Sequence, residues 1–191
     1  MLTPMPLDLR MALALAECDL YSNLVTRATG RAVRGQLESM LSEMPGQRLA
    51  VLDFTHVGVL DFSCADEIVA QLLLRFGAGL PAHAPAPHPP SYFMFRGLAE
   101  AHLEALEPVL ERHGLALVAE AIDGSMRLVG MVEPAEHTAW QLVLLSGGGD
   151  VDAIASFAEV RSMDLHAQLV ALARRRLVIQ TPAGFHPLRH H

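Results

Sequence analysis

Five side chains that could do chemistry stand close together near position 60. They are Asp61, Ser63, Cys64, Asp66 and Glu67. A hydroxyl or a thiol can be a nucleophile or a modification site, and paired carboxylates can transfer protons or bind metals. Nothing else in the sequence completes a catalytic or metal-binding set. The sequence therefore predicts a protein that is not an enzyme, with no catalytic residue, metal or cofactor.

The elements around these side chains place them where a strand gives way to a helix. The stretch RLAVLDFTHV (48–57) is a continuous apolar run, typical of a strand buried on both faces of a sheet. The stretch CADEIVAQLLLRFG (64–77) has the apolar spacing of a helix. The simplest interpretation is a helix start capped by Asp61 or Ser63, with the two later acids in the first turn, where the helix dipole favours them.

Cys64 allows a second interpretation, because a thiol at a helix N-terminus can have a lowered pKa and act as a redox sensor. The neighbouring acids Asp66 and Glu67 oppose a thiolate. A buried small residue is therefore the favoured interpretation of Cys64.

The composition is that of an ordinary folded protein. The chain has 191 residues, of which 51% are hydrophobic and 18% charged, enough for one ordinary domain plus a small one. No apolar run reaches the roughly 20 residues needed to span a bilayer, and the N-terminus lacks the features of a signal peptide. The sequence thus predicts a cytoplasmic protein with no membrane contact. The formal net charge of −7 argues against a chain coated in nucleic acid but allows a local basic patch.

Strand and helix patterns alternate through residues 1–132, which predicts an α/β domain. The expected elements are two short strands in Leu7–Glu17 and Leu20–Ala28, a helix over Thr29–Met44 capped by Thr29, a proline-rich loop over Ala78–Ser91, a helix over 99–114, and a hairpin around Asp123-Gly124. In the helix over 99–114, Leu103, Leu106, Val109 and Leu110 are expected to face inward.

The pattern changes at Glu133-Pro134, so residues 133–191 are predicted to form a second domain. Three helical stretches (135–147, 151–160 and 162–177) precede a short hairpin. This order is typical of a winged helix-turn-helix. Ile154 and Phe157 are expected to pack the second helix, and Leu165, Leu169 and Leu172 to pack the third.

The segment LAVLDFTHVGVLDFSCADEIVAQLL resembles the signature of the STAS domain, found in anti-sigma-factor antagonists and in the tails of sulphate transporters. Asp53, Asp61 and Ser63 stand at matching positions, and Ala65-Asp66-Glu67 is similar to a divergent STAS-like group. In the antagonists this serine is phosphorylated by a partner kinase. The resemblance implies a partner or phosphorylation site at Asp61, Ser63, Cys64, Asp66 and Glu67, with a kinase or an anti-sigma-type ATPase as partner.

The chain departs from the antagonist pattern after the serine. Cys64, Asp66 and Glu67 follow where the antagonists have glycine and small residues. A phosphate on Ser63 would add about −1.5 to −2 charges beside those acids. Binding of a partner or a ligand without phosphorylation is therefore the favoured use of this junction.

The stretch from Val151 to Leu188 resembles the winged-helix regulators of bacteria. The resemblance implies that His166 and Gln168 read base edges of double-stranded DNA, and that Arg174, Arg175 and Arg176 contact phosphates. From Met131 onward, however, five arginines face six acids, a net charge of −1. A homodimer would double the contacts. A winged helix used for protein contact is the alternative.

Three arginines lie near the start of the predicted helix, beside Thr26 and Thr29. Arg27, Arg31 and Arg34 form either an anion site or a solvated face.

The whole pattern predicts a bacterial regulatory protein, in which a STAS-like domain receives a signal and a DNA-binding winged helix delivers it. A partner-switching adaptor of anti-sigma-antagonist type, whose winged helix contacts proteins, is the first alternative. A small-molecule-binding or enzymatic α/β protein is the second.

Overall fold

The computed structural model describes residues 3–8, 23–43, 48–77, 91–121, 123–158 and 160–189. Contacts divide the chain into two compact units, Met1–Met131 and Val132–His191, called unit 1 and unit 2 below. Much of the first expected strand pair (residues 9–22) and most of the proline-rich loop (78–90) lie outside the described residues.

Unit 1 is built around a mostly parallel sheet, which confirms the prediction of an α/β fold. Its strands are β1 (Thr3–Asp8), β2 (Asn23–Leu24), β3 (Arg48–Asp53), β4 (Val59–Leu60), β5 (Tyr92–Arg96), β6 (Ala116–Glu120) and β7 (Met126–Gly130). Five of them form one sheet in the order β1-β3-β5-β6-β7, with only β7 antiparallel to its neighbour. The predicted hairpin is β6 and β7. The two-residue strands β2 and β4 form a separate parallel ladder.

The helices of unit 1 pack around one central helical rod. They are α1 (Arg27–Ser42), then α2 (Phe62–Ala65), a π-helical turn (Asp66–Ala70) and α3 (Gln71–Phe76), which together form the rod, and α4 (Glu100–His113). Both α1 and α4 contact the rod. All five residues of the π-helical turn are buried, so the rod is enclosed on every side there rather than on one stripe.

The predicted inward face of α4 is confirmed, but the predicted cap of α1 is not. Leu103, Leu106, Val109 and Leu110 of α4 are buried. The predicted cap Thr29 is wrong, because the helix begins one turn earlier. Thr26 has extended backbone geometry, and its side chain accepts a hydrogen bond from the Thr29 N–H at 3.1 Å.

Unit 2 has three helices followed by a two-stranded hairpin. They are α5 (Pro134–Ser146), α6 (Val151–Ser156), α7 (Ser162–Arg174), β8 (Val178–Thr181) and β9 (Gly184–Pro187). Gly149, between α5 and α6, pairs with Phe185 of β9 through two backbone hydrogen bonds of 2.9 and 2.8 Å. The loop before α6 is thereby attached to the hairpin.

The core of unit 2 follows the predicted spacing except at Phe157. Leu165, Leu169, Leu172 and Ile154 are buried as expected. Phe157 was expected inside but is 63% exposed. The reason is that α6 ends at Ser156, so Phe157 caps the helix and no longer lies on its buried face.

Unit 1 should fold alone if the two units are independent domains. A chain truncated after Val132 is expected to unfold cooperatively in urea, because its sheet, rod and core lie wholly before that residue. Far-ultraviolet circular dichroism across a urea series measures this. A broad, non-cooperative unfolding transition with no folded-state baseline would contradict the division of the chain into two independent domains.

Candidate functional site

Asp61 organises the start of the rod. Its carboxylate accepts hydrogen bonds from the Cys64 N–H at 2.8 Å and from the Ser63 hydroxyl at 2.9 Å. Its own N–H donates to the Leu24 carbonyl at 2.8 Å, which attaches this turn to β2. Ser63 is therefore held in one orientation, half-buried in the first turn of α2, as a side chain that remains accessible.

Cys64 points inward from the same turn. It is fully buried, and its thiol donates to the Thr26 carbonyl at 2.9 Å. Burial first, and then the negative charge of Asp61, raises the pKa of the Cys64 thiol to about 11. The thiol stays protonated at neutral pH, so the structure favours the buried-residue interpretation over redox sensing.

Asp66 and Glu67 are buried and bind basic side chains of two neighbouring helices. The group is called the carboxylate cluster below, and it consists of Asp66, Glu67, Arg27, Arg31, Arg34 and His113. Asp66 contacts His113 Nε2 at 2.7 Å and Arg27 Nη1 at 3.2 Å. Glu67 contacts Arg27 at 2.8 Å, Arg31 at 3.1 Å and Arg34 at 3.2 Å.

The spacing of the arginines explains this geometry. Residues 27, 31 and 34 lie at i, i+4 and i+7, which is one face of α1. The sequence left open whether these arginines form an anion site or a solvated face. In the structure they pair with the chain's own carboxylates, Asp66 and Glu67. The charged partners of Asp66 and Glu67 lie 33 to 47 residues away along the chain, and local spacing does not reveal them.

Gly30 lets α1 approach the rod closely enough for these contacts. A side-chain Cβ at this position would lie 3.0 Å from the Glu67 Cβ and 3.2 Å from the Cys64 Cα. A helical glycine costs about 1 kcal/mol relative to alanine. Here that cost is offset by the close packing of α1 on the carboxylate cluster.

Burial raises the pKa of Asp66, but the hydrogen bonds from His113 and Arg27 outweigh it and hold that pKa below its ordinary value. A carboxyl group with a depressed pKa stabilises the fold above its unfolded pKa of about 3.9. That contribution is lost as the pH falls through the lowered folded pKa. The carboxylate cluster thus contributes stability throughout the neutral range.

Three exposed apolar side chains lie in the two segments that meet at the start of the rod, where Ser63 stands. The group is called the junction patch below, and it consists of Val25, Val59, Phe62 and Ser63. The three apolar side chains are 46%, 48% and 40% exposed. Val59 faces outward because its neighbour Leu60, which pairs with Leu24, points into the core. Exposed apolar side chains gathered at one place are typical of protein interaction sites.

Asp53 is engaged at a different place, at the carboxyl end of β3. Arg96, at the end of β5, donates to its carboxylate at 2.6 and 2.9 Å, and the Thr55 N–H donates at 2.9 Å. Burial acts to raise the pKa of Asp53, but the hydrogen bonds from Thr55 and Arg96 have the larger, opposite effect. The pKa of Asp53 therefore lies below its ordinary value. Asp53 is thus a charged residue that joins two neighbouring strands.

The expected DNA-reading residues of α7 occupy mixed positions. His166 is exposed, but its ring packs edge-on against Phe185 with the ring centroids 6.3 Å apart. Gln168 is half-buried on the flank of the helix. The line of α7 opposite its buried leucines, called its outermost line below, runs through Met163, Ala167, the half-buried Val170 and Arg174. That line is mainly apolar, and sequence reasoning missed it.

The three arginines at the end of α7 also differ from one another. Arg174 is exposed, whereas Arg175 donates to Glu136 of α5 at 2.7 Å. Arg176 is half-buried and has a left-handed backbone with φ +57°. Arg174 is the most accessible of the three for a phosphate.

Comparison with protein-family models, with curated proteins and with solved structures finds no match for the chain. Within the described ranges, no helix is long and apolar enough to cross a membrane. Among the same residues, no group of three or more histidine, cysteine and acidic side chains is placed to hold a metal ion.

Replacing Glu67 with Gln should destabilise unit 1 by about 1–3 kcal/mol, because three arginines would face an uncharged side chain of the same shape. The partial exposure of those arginines keeps the effect below that of a fully buried pair. Glu104→Gln, at an exposed position of α4, is the matched control. Urea denaturation of the full chain measures both. Equal midpoints for the two variants would show that the carboxylate cluster is not structural.

Proposed function

We propose that this chain is a regulatory protein that transmits a signal by binding proteins. In this proposal unit 1 is a STAS-like domain that receives a partner at the junction patch. Unit 2 is a winged helix that makes the second contact. The observation that carries the proposal is the accessible Ser63 within an apolar surface, on a turn whose other polar side chains are engaged internally.

The carboxylate cluster removes one objection to regulation at Ser63. The sequence suggested that Asp66 and Glu67 would repel a phosphate on that serine. Asp66 is paired with Arg27 and His113, and Glu67 with all three arginines of α1, so their charge is largely compensated. A kinase or an anti-sigma-type ATPase is the kind of partner that this arrangement supports. A phosphate would replace the bond from the Ser63 hydroxyl to Asp61 and add charge to the junction patch.

The order of elements in unit 2 supports a winged helix, in which β8 and β9 form the wing. The surface of α7 supports protein contact rather than DNA contact. Its outermost line is mostly apolar, and Arg175 is already paired with Glu136. A strong DNA-binding surface carries clustered positive charge. The partner-switching adaptor is therefore the form of the proposal that the geometry supports best.

DNA binding by unit 2 is the second candidate, and the winged-helix order of its elements favours it. In that case unit 1 receives the signal, and His166, Gln168 and Arg174 meet the duplex. Arg175 and Arg176 have less freedom to do so than the sequence indicated.

Ser63→Glu should remove partner binding with little change in stability, because the added charge enters the junction patch without replacing a core side chain. The immobilised full chain is exposed to an extract of its own cells, and bound proteins are identified by mass spectrometry. Ser39→Glu, on the exposed face of α1, is the control. A protein retained by the parent and by Ser39→Glu should be lost with Ser63→Glu. The same bound proteins on all three chains would rule out the junction patch.

A gel shift against DNA from upstream of the chain's own coding region separates the two candidates. The adaptor predicts no duplex binding at micromolar protein in low salt, where attraction to phosphate is strongest. If unit 2 binds DNA, Arg174→Ala should weaken binding to all sequences alike. The slope of log affinity against log salt concentration should then become less steep by about one unit. In the same case, Gln168→Ala should reduce the discrimination between base pairs at one position of the DNA site by about 1–3 kcal/mol. Arg112→Ala, at an exposed position of α4, is the control.

A further inference from the structure

A buried histidine joins the start of α4 to the segment that leads into the junction patch. His102, in the first turn of α4, is 2% exposed. Its Nδ1 accepts a hydrogen bond from the Ala99 N–H at 3.1 Å, and its ring also hydrogen-bonds the backbone of Val57 and Gly58. Accepting from the N–H of the cap residue is the role that glutamate or glutamine plays in a capping box. Histidine does the same here, but it can also take up a proton.

The loops after β3 and β5 pack directly against each other around this ring. The Phe54 ring lies 6.0 Å from the His102 ring between centroids, and the Phe54 N–H donates to the Arg96 carbonyl at 2.9 Å. Gly97 has φ +70°, and a Cβ there would lie 2.6 Å from the Thr55 backbone nitrogen. His102 is therefore enclosed where these two loops meet.

The segment that His102 supports continues into the junction patch. Residues 57 and 58 lead into β4, which contains the exposed Val59 of that patch. They are followed by Asp61, whose N–H donates to the Leu24 carbonyl and whose carboxylate begins the rod. A change at His102 is thereby transmitted along four residues of chain to the surface beside Ser63.

Protonation and the hydrogen bond from Ala99 exclude each other. A neutral imidazole accepts with one nitrogen and donates with the other, whereas both nitrogens of the protonated ring are donors. The added proton goes to Nδ1, which is the atom that accepts from the Ala99 N–H. Protonation therefore breaks that bond and leaves a positive charge in a buried position.

Among the described residues, no carboxylate bonds to the ring to compensate that charge. The titratable and charged side chains on the elements around it are engaged with other partners or exposed. Asp53 is paired with Arg96, Asp61 with Ser63 and Asp66 with His113, while His56, Glu100 and Glu104 are exposed.

We propose that His102 is a pH-sensitive switch, which holds the 57–61 segment and the junction patch in place when neutral and releases them when protonated. Burial lowers the pKa of His102, and the bonds to the backbone of Val57 and Gly58 oppose that effect only in part. The ring is therefore neutral in the folded protein at neutral pH. Control of partner binding by this switch rests on the proposed function of the junction patch, whereas the switch itself needs no partner.

The lowered pKa fixes the direction of the response. A released, solvated histidine has a pKa of about 6.5, above that of the held ring. The held state is thus fully favoured above about pH 6.5 and loses stability as the pH falls below that value toward the lowered pKa. Release takes up one proton, so the equilibrium shifts by up to about tenfold per pH unit in this range.

Amide hydrogen exchange of the full chain, followed by NMR between pH 7 and pH 5, measures the release. The Ala99 N–H reports on the bond to the ring, and the Asp61 N–H reports on the segment beside the junction patch. After correction for the intrinsic pH dependence of exchange, the protection of both should fall by up to about tenfold per pH unit below about pH 6.5. The amides of the central strand β3 should stay more strongly protected, because release does not open the sheet.

His102→Gln is the decisive variant, because glutamine can accept from the Ala99 N–H but does not take up a proton in this range. The two amides should then show little change in protection between pH 7 and pH 5. His56→Gln, at the exposed histidine beside Val57, is the matched control and should keep the pH dependence of the parent. The same pH dependence in His102→Gln as in the parent would overturn the inference.

A direct titration of the parent tests the inference even if His102→Gln does not fold. The NMR signal of the His102 ring should titrate below the ordinary value of about 6.5. A ring that titrates at or above that value would overturn the inference, because protonation would then not favour release. Partner capture at Ser63 is measured separately, so failure of the switch and failure of the junction patch are distinguishable.

Discussion

The burial of two adjacent carboxylates is the constraint on which unit 1 depends. Moving a carboxylate out of water costs several kcal/mol unless charged partners and hydrogen bonds replace the water. Asp66 and Glu67 receive those partners only when α1 and α4 lie against the π-helical turn in one arrangement. That arrangement needs Gly30 to admit α1 and Asp61 to start the rod. The carboxylate cluster thus fixes the place where Ser63 is presented.

The start of the rod carries both polar side chains that stabilise the fold and a side chain that solvent can reach. Cys64, Asp66 and Glu67 face inward, where they are hydrogen-bonded or paired. Phe62 is exposed, as are Val25 and Val59, and Ser63 is half-buried. An outward serine on a rigid support suits a regulated contact, because a change there alters binding without unfolding the support. The same division explains why five reactive-looking residues need not form a catalytic site.

Local patterns predicted the α/β sheet, the β6–β7 hairpin and the buried leucines of α4 and α7, because each depends on neighbours within a few residues. Local patterns could not predict two other kinds of feature. The partners of Asp66 and Glu67 come from distant segments, and only tertiary packing brings them together. The exposure of Phe157 depends on α6 ending at Ser156, four residues before the predicted end at 160. Helix ends are decided by small energy differences that apolar spacing does not report. The fold class was therefore predictable, and the internal use of the acids was not.

The central claim is that the surface beside Ser63 binds one protein, and site-specific crosslinking tests it most directly. A photoreactive phenylalanine analogue replaces Phe62, which is 40% exposed in the junction patch, in the full chain within its own cells. The same analogue at Glu43, an exposed position at the end of α1, is the control. The account predicts one discrete crosslinked protein from position 62 and none from position 43, and loss of that product in Ser63→Glu. No product from position 62, or the same products from both positions, would contradict it.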